Sequence, residues 1–309
     1  MDRFTQFGVP DNFNKLLPDL KAKSLKWEAV CYSGTEINNS AKIHYYSASV
    51  LYPLGDLILS PGLGTNTDID PLMKMLTYWG LTHKYNIMTI DTFLGDFLNL
   101  PSLEVAQKNT YHEFISSLES SIKFIEPYSL KHKNILIGHS AGATGVIDAL
   151  NSMTIKNEKI NLFSVMLFAP WASAQWGKVF KEIVYQRCES SNFNNPNKIL
   201  PVTNMFNNHI GYMNIMPQFI TDKDNMPFRP DLMNNWGTYT TIIAGEYDKK
   251  AKPEDLQKKF SELKKQPNHS RFRFIVLPKA KHSFLSIYKN NQCAISLIQS
   301  QKEFMNKKR

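Results

Sequence analysis

The sequence predicts an α/β protein built on a mostly parallel central sheet, with helices on both faces and one long insertion. Three observations carry that expectation. Short apolar runs such as Asp56-Leu57-Ile58-Leu59, Ile135 to Ile137 and Leu162 to Phe168 read as strands buried on both sides. Stretches between them place apolar residues at helical spacing. The two kinds of segment alternate along most of the chain, as they do in parallel sheets.

Residues 1 to about 22 contain Pro10 and Pro18 and are expected to be irregular or briefly helical. Leu25 to Tyr32 and Lys42 to Val50 are rich in β-branched and aromatic residues and read as two early strands, a candidate antiparallel edge. Asp56 to Leu59 is a short buried strand that runs into Ser60-Pro61-Gly62-Leu63-Gly64. Asp70-Pro71 opens a helix, because proline is tolerated in a first turn, and Leu72, Met75, Leu76 and Trp79 give it an apolar face. Tyr85 to Ile90 is the next strand. Leu103 to Ile125 is a long helix with Tyr111, Phe114, Leu118 and Ile122 inward.

Regularity breaks from Trp171 to Trp236, a stretch rich in Asn, Met, Pro and aromatic residues. The alternation then resumes: a strand at Tyr239 to Ala244, a helix at Pro253 to Leu263, a strand at Arg271 to Leu277 and a last helix near Ser286 to Met305. The expected organisation is a core of residues 1–170 and 237–309, interrupted by an insertion at 171–236.

Bulk composition narrows the class. A chain of 309 residues with 42% hydrophobic and 12% aromatic content has ample material for a core. The net charge of +9 suits anionic membrane surfaces, acidic substrates or nucleic acid. The charges are scattered, however, and no recognisable nucleic-acid motif accompanies the short lysine runs, so a basic solvated surface is the expected meaning. Cys31, Cys188 and Cys293 lie far apart without a C-x-x-C, which points to free thiols in a reducing compartment. Residues 1–6 lack a secretory signal pattern and no apolar run is long enough to cross a membrane. A soluble intracellular (cytoplasmic) protein is therefore expected, although export by a signal-independent route would leave no trace in these features.

Chemistry concentrates in Gly138-His139-Ser140-Ala141-Gly142, between the Ile135–Ile137 strand and a helix carrying Val146, Ile147 and Leu150. Strand, G-x-S-x-G, helix is the context of a nucleophile elbow. Residues two before and two after the serine must be small, and glycine meets that need. The turn lifts the Ser140 hydroxyl clear of the backbone and aims the Ala141 N–H toward any oxyanion formed there. In parallel sheets function gathers at the carboxyl ends of strands. Three further strand ends carry suitable groups. Asp248 follows Tyr239 to Ala244 and suits an acid that orients a histidine, with Glu246 a near competitor. His282 follows the last strand and, of eight histidines, is the one so placed; His139 lies in the elbow and is expected to face away from the serine. Pro61-Gly62-Leu63-Gly64 can present backbone donors, with the Leu63 N–H pairing with that of Ala141 as an oxyanion hole.

With its order Ser140, Asp248, His282, the chain resembles the α/β-hydrolase superfamily, serine esterases and lipases among them, over roughly residues 25–170 and 237–305. The insertion at 171–236 falls where that family carries a variable cap. Many relatives have His-Gly at the oxyanion turn; here it is Pro61-Gly62, so positioning of the loop by that histidine is lost. The Leu162–Phe168 strand ends without a carboxylate, which removes the family's other acid position and favours Asp248.

The resemblance implies acyl-enzyme hydrolysis of a carboxylic ester by Ser140, His282 and Asp248, without metal or organic cofactor. Met205, Phe206, Ile210, Tyr212, Met213 and Met216 give the cap an adaptable apolar character suited to an acyl group or lipid, such as an acylglycerol, a lysophospholipid or a thioester. Peripheral contact with anionic membrane fits the basic charge; nucleic acid is not expected, and oligomeric state is unspecified. An acyltransferase, amidase or peptidase would use the same triad, and a catalytically idle binding protein would keep the same fold.

Overall fold

A run of apolar residues that is hydrophobic on both sides can be buried only between layers, so such strands stack edge to edge and helices close over both faces. The computed structural model shows this arrangement. It describes residues 9–10, 12–32, 40–62, 65–92, 111–130, 133–170, 200–203, 210–213, 228–284 and 295–301. Eight strands form one sheet: β1 (Leu25–Tyr32), β2 (Ser40–Tyr46), β3 (Gly55–Ser60), β4 (Tyr85–Asp91), β5 (Asn134–His139), β6 (Ser164–Phe168), β9 (Tyr239–Gly245) and β10 (Phe272–Leu277). Their spatial order is β1-β2-β4-β3-β5-β6-β9-β10. β2 runs antiparallel to both of its neighbours, and every other pairing is parallel. Every residue of β3 and β5 is buried, so both faces of the sheet centre are covered.

The covering helices are α1 (Phe13–Ser24), α2 (Pro71–Thr82), α3 (Tyr111–Ile125), α4 (Ala141–Ile155), the short α5 (Pro230–Met233), α6 (Pro253–Leu263) and α7, residues 295–301. Among the described residues no helix is long and apolar enough to cross a membrane. α2 starts as its sequence predicts: Asp70 caps it by accepting the Leu72 and Met73 N–H groups, and Pro71 occupies the first turn. The part of the long predicted helix before Tyr111 lies outside the described residues, as do residues 286–294 and 302 onward of the last one. Cys31 is a buried free thiol; Cys188 and Cys293 are also outside.

Three regions differ from expectation. α1 is a full helix of 12 residues that contains Pro18. Leu17 is buried and Phe13 and Leu20 pack against the core at helical spacing, and this burial outweighs the hydrogen bond that proline removes. β2 ends at Tyr46 rather than Val50, because the Ser47 and Ala48 N–H groups turn to the Ser24 carbonyl and the Asn86 side chain. Within 171–236 the structure shows an antiparallel pair, β7 (Leu200–Thr203) with β8 (Ile210–Met213). Beyond it, Met233 and Trp236 join the core, and the Trp236 indole N–H donates to Asn151 of α4 at 3.1 Å.

The amino ends of β3, β4 and β5 are joined by buried polar side chains. Asp56 is fully buried and accepts from the Asn86 amide at 2.9 Å and from the Leu130 N–H. Asn134 accepts the Phe163 N–H at 2.6 Å and donates to Ser129 at 3.0 Å. Such groups matter because a donor left without its acceptor in the interior costs its full desolvation. Replacing Asp56 by Ala strands two donors at once. Urea unfolding of Asp56→Ala should show a stability loss of about 1–3 kcal/mol with an unchanged slope.

Candidate active site

The opposite end of the sheet, where strands finish, gathers the chemical groups. Ser140 stands between β5 and α4 with φ 53° and ψ −119°, a conformation that costs a non-glycine residue roughly 1–3 kcal/mol. Three bonds hold it there: the Ser140 N–H donates to the Phe168 carbonyl at 2.8 Å, and the Thr144 N–H and hydroxyl donate to the Ser140 carbonyl, each at 3.1 Å. The flanking glycines make the turn possible. A Cβ on Gly138 would lie 2.5 Å from Ala143 Cα, and one on Gly142 would lie 2.2 Å from the Pro61 carbonyl oxygen. Both clashes are with backbone, which cannot swing aside.

His282 reaches the serine from the turn after β10. Its Nε2 is 2.8 Å from Ser140 Oγ, and its Nδ1 is 2.8 Å from Asp248 Oδ2. A carboxylate can only accept, so Nδ1 carries the proton and Nε2 is the acceptor for the serine O–H. The second Asp248 oxygen accepts the Lys250 and Ala251 N–H groups at 2.8 and 2.9 Å, which fixes the buried carboxylate in the turn after β9. Glu246, the competitor, is exposed and instead accepts the Lys279 N–H at 2.6 Å. The two turns are tied to each other: the Glu246 N–H donates to the Leu277 carbonyl, and the Tyr247 N–H to that of Ala280. Backbone bonds therefore couple the turn bearing Asp248 to the turn bearing His282. Burial lowers the His282 pKa below that of an ordinary imidazole; Asp248 opposes this, while His139 and Lys250 add to it.

Of the two predicted oxyanion donors, Leu63 lies outside the described residues. Ala141 is the first residue of α4, where an N–H has no carbonyl one turn back to bond. The Pro61-Gly62 turn does abut the serine: a Cβ on Gly62 would be 3.2 Å from Ser140 Cβ. The Gly62 N–H is already committed, donating to Asp70 Oδ2 at 3.1 Å.

Asp70 and His139 are the residues that sequence reasoning missed. In the sequence Asp70 marks only the start of a helix, and His139 only a histidine expected to face away from the serine. They meet in the interior, with His139 Nδ1 2.6 Å from Asp70 Oδ2 and Nε2 2.9 Å from the His282 carbonyl oxygen. Burial penalises charge on both, yet their mutual attraction and hydrogen bonds outweigh it. The Asp70 carboxyl is held below its usual range and the His139 imidazole above. Among the described residues no group of His, Cys, Asp and Glu side chains could hold a metal ion.

No protein-family profile matches the sequence, and no curated protein does. Solved structures do resemble it in shape. An esterase of Pyrobaculum calidifontis aligns with TM-score 0.58 at 14% identity, over 99% of this chain and 94% of its own. An esterase of Pyrococcus furiosus aligns with TM-score 0.58 at 13% identity, over 97% and 95%. The esterase domain of a Rhodothermus marinus protein aligns with TM-score 0.53 at 12% identity, over 89% and 96%. At such identities the likeness speaks for architecture. The strand order, the single reversed strand β2 and these neighbours together identify the architecture of this chain as the α/β-hydrolase fold.

Proposed function

We propose that the chain is a serine hydrolase that cleaves a carboxylic ester through an acyl-enzyme on Ser140. The observation that carries this reading is the continuous relay from Ser140 Oγ through the His282 ring to the Asp248 carboxylate. An alcohol hydroxyl is a weak nucleophile at neutral pH until a base in hydrogen-bond reach takes its proton. As Ser140 Oγ attacks the ester carbonyl carbon, its proton passes to His282 Nε2. The carbonyl oxygen becomes an oxyanion beside the Ala141 N–H, with the Leu63 N–H as its proposed partner donor. Each such donor contributes about 3 kcal/mol of transition-state stabilisation. His282 then protonates the leaving alcohol as the C–O bond breaks, and the acyl group stays on Ser140. Water, deprotonated by the same nitrogen, adds to the acyl carbon and releases the acid. Asp248 holds the tautomer and stabilises the imidazolium formed in both halves. The fold shared with esterases supports the reading.

The finer assignment, an apolar acyl ester or lipid selected by a cap at residues 171–236, rests on the methionine and aromatic content of that segment. An excess of basic residues suits a substrate presented at an anionic membrane surface.

A fluorophosphonate probe should label the wild-type chain and leave Ser140→Ala unlabelled. Turnover of a nitrophenyl ester should fall about 10^4-fold in Asp248→Asn, which supplies the wrong tautomer. A wild-type chain that is neither labelled nor active would overturn the proposal, and amides hydrolysed as fast as esters would overturn the ester assignment. The pH profile has a definite sign. Only neutral His282 can take the serine proton, and its pKa is lowered, so kcat/KM should rise with pH along a limb centred below about 6.5.

A further inference from the structure

The buried Asp70–His139 pair is not needed by the acyl-transfer steps, yet it touches both halves of the site. Asp70 is 1% exposed and His139 5%. Asp70 stands at the amino end of α2, and three backbone N–H groups point at its oxygens: Leu72 and Met73 at Oδ1 and Gly62 at Oδ2. That donor set demands an anion. His139 ends β5, one residue before the nucleophile, and lies between this carboxylate and the His282 carbonyl. A carbonyl oxygen cannot donate. An imidazole placed between two acceptors must carry a proton on each nitrogen, so the geometry requires an imidazolium.

We propose that His139, as a buried imidazolium paired with Asp70, is a positioning residue that locks the oxyanion turn at Gly62 and the turn bearing His282 onto the nucleophile elbow. The proposal rests on the acyl-transfer reading of Ser140, His282 and Asp248. The chain of contacts is continuous: Gly62 N–H to Asp70, Asp70 to His139, His139 to the His282 backbone. The departure from His-Gly at the oxyanion turn thereby acquires a physical account. A histidine does brace this turn, but it comes from the elbow and acts through Asp70. The sequence G-H-S-A-G places that ring beside the serine without competing for the serine's proton, since both of its nitrogens already donate.

The pair also sets the charge near the base. The ring centroids of His139 and His282 are 5.5 Å apart. Charged and titratable groups facing His139 are Asp70, His282 and Asp248; those acting on His282 are Asp248, His139 and Lys250. A fixed positive charge at His139 disfavours a second one on His282, which keeps the base free at neutral pH. Phe284, fully buried, packs edge-on against the His139 ring and shields the pair from water.

The first test needs no substitution in the protein observed. In the full chain labelled with 15N-histidine, the His139 ring signals, assigned by their loss in His139→Asn, should show both nitrogens protonated at pH 7.5. A bare nitrogen on His139 at that pH overturns the proposal. The second test is kinetic, with kcat normalised to serine labelled by fluorophosphonate so that unfolded molecules do not count. Asp70→Asn and His139→Gln should lower kcat for a nitrophenyl ester about 10- to 100-fold with little change in KM. His139→Asn places an amide near the Nδ1 position, retaining the donor to Asp70 and removing the charge. In that variant the acid limb of the pH profile should move to higher pH. Normalised kcat within twofold of wild type in all three variants, or an unmoved acid limb, overturns the proposal. If the wild-type chain is neither labelled nor active, the acyl-transfer reading fails instead, and the nitrogen signals still report on the pair.

Discussion

The end of β3 and the first turn of α4 share a space too small for one methyl group. Gly142 lies so close to the Ser60 and Pro61 carbonyls that any side chain there would force strand and helix apart. This close approach sets the rest of the site. It presses the Pro61-Gly62 turn against Ser140 and lets the serine backbone keep a conformation that it would not adopt alone. Strain of this kind persists only where the surroundings over-determine it. Here they include two parallel strands, a helix start and the Phe168 carbonyl from the neighbouring strand.

Buried carboxylates tie loops together at both ends of the sheet. At the amino ends, Asp56 accepts from the Asn86 amide and the Leu130 N–H. At the carboxyl ends, two buried carboxylates each face a histidine, Asp248 with His282 and Asp70 with His139. The two pairs share a pattern but differ in the proton. The second nitrogen of His282 faces a hydroxyl, which can donate to it, and that ring can stay neutral. The second nitrogen of His139 faces a carbonyl, which cannot. One hydrogen-bond partner separates the proposed base from the proposed fixed cation. A buried ion pair is a weak source of net stability, whereas losing one partner is costly, which suits a role in fixing geometry.

The fold was legible because burial on both faces writes itself into sequence as unbroken apolar runs, and because Gly138 and Gly142 flank a serine at a strand end. The elbow motif, the strand-end positions and the chain order together brought forward Ser140, Asp248 and His282. α1 was harder to read, since Pro18 argues against a helix locally and only packing of Phe13, Leu17 and Leu20 argues for one. β7 and β8 were hidden in a stretch whose composition suggests no regular element. The Asp70–His139 pair was illegible for a different reason. The two residues are 69 positions apart, and each has an adequate local explanation, one as a cap and the other as part of a turn. Nothing short of the folded chain shows that they face each other.

In the proposed triad, Asp248 and His282 follow β9 and β10, the last two described strands of the sheet in both sequence and space, while Ser140 follows β5 near its centre. The Ser140–His282 hydrogen bond closes a loop of 142 residues, among the slowest kinds of contact to form. During synthesis the elbow, α4 and the strands around them leave the ribosome well before either partner of the serine exists. The nascent chain therefore carries Ser140 without its hydrogen-bond partner His282 until β10 docks on β9. With the proposed triad, reactivity arrives last as a consequence of strand order, and a chain stalled between β6 and β9 would be inert rather than a loose hydrolase.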